Sequence, residues 1–514
     1  MAPKLSSAIA IAAAGALTAL AAHPAAAQER APGKAACEGL AGAGGFADTT
    51  VKSAKLVEAA EGLPAYCEVE AVIQPVPGSQ IGVVYRLPMD WNGKALGLGG
   101  GGWAGNVRLR TASQGLQKGY ATLQTDAGHP NPNGTNADWS LSGPGKLNDA
   151  AVTDFSWRAI HLMTAVGKQV IAAYYGRPQS RAYFQGCSTG GRQGLMEAQR
   201  FPADYDGIVA GAPVYDFRVQ TSAVMRVQDF HKDPRSNLVP EQLPLITKAV
   251  LDACDALDGV KDGVVGDPAQ CKWDPAALAC PTGQSGSTCL TPAQVETVRN
   301  AYKGYRNSGG QWVAFPLSRG GEGEWAARSI GDAKNPLGGN GATGSKAIQY
   351  FYYRDPNYDV NRWNPETEFA PLESSALAKE YEAKDPDIRP FLQRGGKLIL
   401  WHGQYDPGPS YIGTTEYYRN VLKTSGASAD VRLFLVPGVY HCGGGPGTDQ
   451  FDMLAAMDSW FDAKTPPARV PASNAKTGVA RPLCAYPAVA RYRGQGDPKA
   501  AESFACAPPA GAEG

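Results

Sequence analysis

The segment Gly186-Cys187-Ser188-Thr189-Gly190 is a G-x-S-x-G. That pattern carries a nucleophilic serine when a strand precedes it and a helix follows. The serine then sits on a sharp turn that its flanking glycines make sterically possible. Residues 182–184 read as the strand and residues 193–200 as the helix. The start of such a helix also aims backbone N–H groups at a developing oxyanion.

A serine hydroxyl is a poor nucleophile without a base. In this strand–turn–helix context the chain order is serine, then acid, then histidine. Beyond the N-terminal leader the histidines are His129, His161, His231, His402 and His441. Residues 397–401 read as a strand, and Asp406 follows its end. Only His441 comes after Asp406, on a loop beyond a second strand at 431–436. Elimination selects Ser188, Asp406 and His441. His402 precedes the acid beside a strand end, so a structural or pocket role is expected for it.

Two cysteines bear on the same assignment. Cys187 directly precedes Ser188, and Cys442 directly follows His441. If serine and histidine meet, their neighbours come within bridging range, which needs Cα atoms about 5.5–6 Å apart. A second oxyanion donor is expected from a glycine-rich loop early in the sheet. Residues 97–105, GLGGGGWAG, follow a predicted strand, and the N–H groups of Thr189 and Gly101 are assigned as donors. The loop lacks the Lys-Ser/Thr of a phosphate loop, which excludes that reading.

These residues must be held by a framework, and the chain supplies one. From about 70 to 215, short apolar runs at 81–87, 95–98 and 120–124 alternate with helical patterns such as 157–175. Strands alternating with helices imply a mainly parallel sheet. From about 216 to 390 that alternation is absent, and Asp-Gly and Gly-Gly turns and aromatic clusters replace it. This stretch reads as an inserted lid. Alternation resumes at about 392, ending in an Ala- and Pro-rich tail expected to be irregular. The expected organisation is therefore a leader over 1–27, a catalytic domain over 28–215 and 392–514, and a lid over 216–391.

The chain has 514 residues, 43% apolar and 19% charged, ample for a large buried core. Its 48 basic and 48 acidic side chains cancel, leaving no electrostatic footprint for nucleic acid or an anionic membrane. Lys4, the Ala-rich run from Ala8 to Ala22 and the small residues at 25–27 read as an export signal; the run is too short and Ala-rich for the alternative, a membrane anchor. A secreted or periplasmic location is therefore expected. It turns the ten cysteines, all beyond the leader, into five expected disulfides. No CxxC pair or Cys/His cluster has zinc spacing.

The chain resembles the tannase and feruloyl esterase family, which includes feruloyl esterases, tannases and mono(2-hydroxyethyl) terephthalate hydrolases. The resemblance covers most of the chain after the leader. It is strongest in Gly119 to His129, GYATLQTDAGH, and from Tyr183 through the serine motif to Asp206-Gly207-Ile208-Val209-Ala210-Gly211-Ala212-Pro213. It implies an α/β-hydrolase fold with a large inserted lid, the triad already reached, and a Cys187–Cys442 bridge. For the remaining cysteines it implies Cys37–Cys67, Cys254–Cys271, Cys280–Cys289 and Cys484–Cys506. It also implies structural calcium in the lid and no organic cofactor. The side chains of Asp255, Asp258 and Asp262 and the carbonyls of Val260 and Val264 would be the ligands. By spacing alone, three carboxylates on glycine-rich turns suit either a hard cation or solvated turns.

The substrate implied is a small ester of a phenolic or aromatic acid, such as a feruloyl ester of a plant cell-wall saccharide. Galloyl esters and the terephthalate monoester are the alternatives. Two features depart from the family's terephthalate-ester hydrolases: a compact lid, and no aromatic wedge immediately after Asp406. Two other readings stand beside it: a catalytically silent carbohydrate-binding protein on the same fold, and a peptidase using the same triad.

Overall fold

The computed structural model describes Met1 and residues 33–509, except 43, 232, 331–337 and 427–428. The expected leader therefore lies, Met1 apart, outside the described residues.

Nine strands form the central sheet. They are β1 (Thr49–Val57), β2 (Tyr66–Ile73), β3 (Ile81–Pro88), β4 (Lys94–Leu98), β5 (Ala121–Thr125), β6 (Arg181–Cys187), β7 (Gly207–Gly211), β8 (Lys397–Gly403) and β9 (Val431–Val436). The spatial order is β1-β2-β3-β5-β4-β6-β7-β8-β9. The first three strands and β5 pair antiparallel. From β5 through β9 every pairing is parallel. The exchange of β4 and β5 and the parallel run that follows give the α/β-hydrolase arrangement.

Successive side chains explain why helices cover both faces. Ile208, Leu398 and Leu400 enter one core with Met163 and Val170 of α1 (Ala159–Tyr175), Leu195 of α2 (Thr189–Arg200) and Val421 of α4 (Tyr411–Ser425). Their chain neighbours Val209, Ile399 and Trp401 enter the opposite core, against Met453, Met457 and Trp460 of α5 (Met453–Ala463). A strand buried on both faces reads as a continuous apolar run, as β7 and β8 do.

Between β7 and β8 the chain leaves the sheet. Its longest helix there among the described residues is α3 (Arg218–His231), followed by the helices Leu243–Cys254 and Pro292–Lys303 and by shorter helical pieces. A single two-stranded ribbon, Tyr305–Arg306 with Trp312–Ala314, is the only strand pairing there among the described residues. Two apolar centres take in this segment, the first shared with Trp103 and Phe155 and the second with Tyr405. One gathers Phe217, Met225, Phe351, Trp363 and Tyr381. The other gathers Phe230, Ile246, Val250 and Trp325.

The tail corrects an expectation. It is not irregular: Arg469–Asn474 pairs antiparallel with Val479–Cys484, and Val489–Tyr492 with Phe504–Ala507. Burial alternates strictly along Arg469–Asn474, as a half-buried strand requires. Pro471 and Pro482, which face each other in the ladder, obscure that pattern in the sequence. The structure joins Cys37–Cys67, Cys187–Cys442, Cys254–Cys271, Cys280–Cys289 and Cys484–Cys506. No helix among the described residues is long and apolar enough to cross a membrane.

Candidate active site

Ser188 sits between β6 and α2 with φ 64° and ψ −123°, a backbone that non-glycine residues rarely adopt. Its neighbours must be small for the turn to close. A Cβ on Gly186 would lie 2.5 Å from the Gly190 backbone, and one on Gly191 would lie 2.3 Å from the Gly211 carbonyl. The Ser188 N–H donates to the Gly211 carbonyl at 3.0 Å, which pins the turn to the end of β7. Strain at one residue persists because this surrounding backbone determines it.

Asp406 follows β8 in a tight turn. A Cβ on Gly403 would meet the Val439 carbonyl at 2.4 Å, so glycine lets the loop after β9 approach the acid. That loop brings His441 between the other two residues. His441 Nδ1 lies 2.5 Å from Asp406 Oδ2, and Nε2 lies 2.8 Å from Ser188 Oγ. The carboxylate accepts only, so Nδ1–H donates to it and Nε2 is left to accept the serine proton. Asp406 is fully buried, which alone would raise its pKa. The His441 charge and hydrogen bonds from His402 and His441 outweigh that and hold it well below the ordinary carboxylate value. The arrangement keeps an anion in place behind an imidazole and can draw a proton from Ser188.

His402 is not a second base. Its Nε2 lies 2.8 Å from the Pro409 carbonyl, and its Nδ1 lies 2.8 Å from Thr414 Oγ1. A carbonyl cannot donate, so Nε2 carries the proton and Thr414 donates to Nδ1. His402 is completely buried and fixes the turn around Asp406. The Asp406 Oδ1 accepts the Gly408 N–H at 2.8 Å.

The glycine-rich loop after β4 packs on the nucleophile turn. Gly190 N–H donates to the Gly100 carbonyl, and Thr189 Oγ1 donates to the Gly102 carbonyl at 2.7 Å. The assignment of Gly101 as an oxyanion donor is corrected here. Its N–H donates to the Ala104 carbonyl at 3.2 Å, closing the turn, and the residue is exposed. Gly102 lines the cavity beside Ser188 instead. Thr189 opens α2, where backbone N–H groups have no intrahelical acceptor.

The cavity over Ser188 has a volume of about 160 Å³. Trp103 and Tyr381 supply aromatic walls, Val214 and Val219 aliphatic ones, and Gln220 and Arg328 polar ones. Sequence patterns did not single these out, because the segment after β7 brings Gln220, Arg328 and Tyr381 from distant positions. Arg192 was also missed. Fully buried one turn into α2, it donates to the carbonyls of Phe155, Ser156 and Tyr381, tying the nucleophile helix to the segment above it. A larger cavity of about 690 Å³ lies between α4 and the tail strands, and none of Ser188, Asp406 or His441 lines it.

The acidic loop near Cys254 is held by its own carboxylates. Asp255 accepts the N–H groups of Asp262 and Gly263, and Asp258 accepts that of Val260. Burial first, with the charges of Asp262 and Asp255 adding, drives Asp258 up to about 6. Arg481, bonded to Asp262, is the cation facing this charge. Three carboxylates against one guanidinium leave negative charge uncompensated, which fits a hard cation. Their oxygens do not all close to within 4.8 Å of one another.

The sequence profile described as tannase and feruloyl esterase matches residues 67–507. The chain belongs to this family. The mono(2-hydroxyethyl) terephthalate hydrolase of Piscinibacter sakaiensis is 32% identical over 555 residues, covering 93% of this chain and 92% of that protein. A probable feruloyl esterase of Arthroderma benhamiae is 34% identical over 454 residues, covering 83% and 82%. The crystal structure of feruloyl esterase B from Aspergillus oryzae superposes with a TM-score of 0.82 at 27% identity, covering 92% of this chain and all of that one. As a member of the tannase and feruloyl esterase family, the chain is a carboxylic ester hydrolase.

Proposed function

We propose that this chain is an exported serine esterase that cleaves esters of aromatic acids. The observation that carries the reading is His441, bridging Ser188 Oγ at 2.8 Å and Asp406 Oδ2 at 2.5 Å. His441 takes the serine proton as Ser188 attacks the ester carbonyl. Asp406 fixes the imidazole tautomer and stabilises the imidazolium that forms. The N–H groups of Thr189 and Gly102 receive the oxyanion. His441 then protonates the leaving alcohol, and water releases the acid by the reverse sequence. Export is supported by the N-terminal pattern and by five disulfides.

Residues 216–391 act as the lid and carry most of the specificity, since Gln220, Arg328 and Tyr381 come from it. Trp103 and Tyr381 suit an aromatic acyl group, of which feruloyl esters are the first choice. One observation favours a second reading. Arg328 places a guanidinium in the cavity wall, with Glu324 at 2.9 Å, and a guanidinium pairs well with a free carboxylate. A terephthalate monoester carries one. Calcium would be held by Asp255, Asp258 and Asp262 with the carbonyls of Val260 and Val264. When bound it would neutralise the acidic loop and cross-link its turns, sharing Asp262 with Arg481.

Hydrolysis of methyl hydroxycinnamates, methyl gallate and mono(2-hydroxyethyl) terephthalate tests the reading, with Ser188→Ala as control. Preference for the cinnamates supports the feruloyl reading. Preference for the terephthalate monoester, lost in Arg328→Ala, moves the second reading forward. Turnover that persists in Ser188→Ala overturns the mechanism.

A further inference from the structure

The far end of the nucleophile helix holds a second constellation that ester hydrolysis does not use. His161 lies on α1, Glu197 near the end of α2, and Asp204 in the turn leading to β7. One ligand atom from each lies within 4.8 Å of the others, and no other group of three among the described residues does this. Glu197 is 1% exposed, and neither of its carboxylate oxygens has a hydrogen-bond partner. Its polar neighbour is Asp204, another carboxylate, which repels it. A buried anion facing a second anion is costly unless a cation joins them.

We propose that His161, Glu197 and Asp204 form a transition-metal site, best suited to Zn²⁺. The donor set decides the ion. One imidazole nitrogen and two carboxylate oxygens are a borderline set that suits zinc, whereas calcium takes oxygen ligands in greater number. Charge agrees. Lys168, whose Nζ donates to the Ala203 carbonyl at 3.2 Å, is the ammonium nearby and offsets part of the two carboxylates. A dication supplies the rest.

Without an ion, His161 Nδ1–H donates to Asp204 Oδ2 at 2.7 Å. Binding through Nδ1 shifts the ring proton to Nε2, leaving the imidazole neutral, and turns Nδ1 and the Asp204 oxygen onto the metal, with Glu197 as third ligand and water completing the shell. The imidazole is stacked on Phe201 at 3.9 Å between centroids, which limits its swing. Its side chain is 30% exposed, giving an ion a way in. Nine residues of helix separate Ser188 from Glu197, about 13 Å at the α-helical rise, so the ion would clamp the nucleophile helix without touching substrate.

The rival account is a proton shared by Glu197 and Asp204. The test uses the full disulfide-bonded protein, stripped with chelator and resaturated with Ca²⁺ so that the acidic loop cannot compete. Zn²⁺ is titrated calorimetrically into wild type, His161→Ala and Glu197→Gln, and each is assayed for ester hydrolysis to show that it is folded. Wild type should bind one Zn²⁺ per chain, raising Tm, with affinity at least about tenfold weaker in His161→Ala. His161 is partly exposed, so this variant remains folded even if Glu197→Gln does not. Cobalt(II) in place of zinc should give visible absorption in wild type that His161→Ala loses. No zinc binding by wild type, or the same isotherm in His161→Ala, overturns the site and leaves the shared proton.

Discussion

Cys187 and Cys442 are bonded to each other with Cα atoms 6.0 Å apart, and each is the chain neighbour of one partner in the Ser188–His441 pair. The bridge closes a separation of 255 residues across the two loops that must meet. Both loops carry unfavourable backbone: Ser188 has φ 64° and Cys442 φ 61°. The covalent link holds two strained turns in register.

Replacing both cysteines by alanine should therefore cost turnover more than folding. Four other bridges remain, and the sheet does not depend on this one. A misplacement of about 1 Å is enough for a loss of about 10²-fold, so kcat should fall on that order with KM little changed. Steady-state kinetics beside a melting curve check it. Unchanged kcat would mean that the loops hold themselves.

Asp406→Asn should preserve the geometry and lose the activity. The amide can donate to His441 Nδ1, which turns the imidazole so that Nε2 carries a proton and cannot accept one from Ser188. A loss of about 10⁴-fold in kcat is expected, against little change in Tm. The pH–rate profile of this residual activity, measured beside that of Ser188→Ala, separates tautomer loss from nucleophile loss.

Neighbouring glycines should respond oppositely to a methyl group. A Cβ on Gly101 meets nothing within 4 Å, so Gly101→Ala should keep activity within a few-fold. Gly102 has φ +58°, and its Cβ would lie 2.3 Å from the Gly134 carbonyl. Gly102→Ala should move the proposed oxyanion donor and lower kcat by about 10²-fold or more. Equal effects in the two variants would remove Gly102 from that role.

Asp126 gives a pH dependence of stability. Burial raises its carboxyl from the ordinary 3.8 to about 6, although the N–H groups of Gly128 and Gly82 bond to it. The folded state keeps this proton longer than the unfolded chain does. Its contribution is fully favourable below 3.8 and is lost as pH rises to about 6, then stays constant. Asp126→Asn removes the charge while its carbonyl oxygen still accepts. The Tm of the variant minus that of wild type should grow between about pH 4 and 6 and then level off, and a flat difference would refute the assignment.

Calcium removal should soften the lid before it stops catalysis. Chelation should lower Tm by at least about 2 °C, restored by Ca²⁺ but not by Mg²⁺, whose tighter octahedral demand this loop does not meet. Asp258→Asn should melt low from the outset and ignore the chelator. A wild-type Tm indifferent to chelation would make the acidic loop a set of solvated turns.

Much of this was legible in residue order. Ser188 declared itself because a glycine-flanked serine between an apolar run and a helical pattern has one geometric use. Asp406 and His441 followed from chain order and the scarcity of histidines. The buried parallel strand β8 was written as an apolar run, since both of its faces meet helices, whereas β7, Gly207-Ile208-Val209-Ala210-Gly211, was too short and glycine-bounded to be read as a strand. Other features were decided only when the chain closed on itself. Gly101 and Gly102 are indistinguishable as letters, and the turn back to Ala104 determines which of them faces Ser188. The tail strands were hidden by prolines that are tolerated where they pair. Arg192, Gln220, Arg328 and Tyr381 reach one cavity or its support from positions up to 189 residues apart. Periodicity reports which face of a local element is buried; contacts between distant elements depend on how those faces pack, and no local pattern records that.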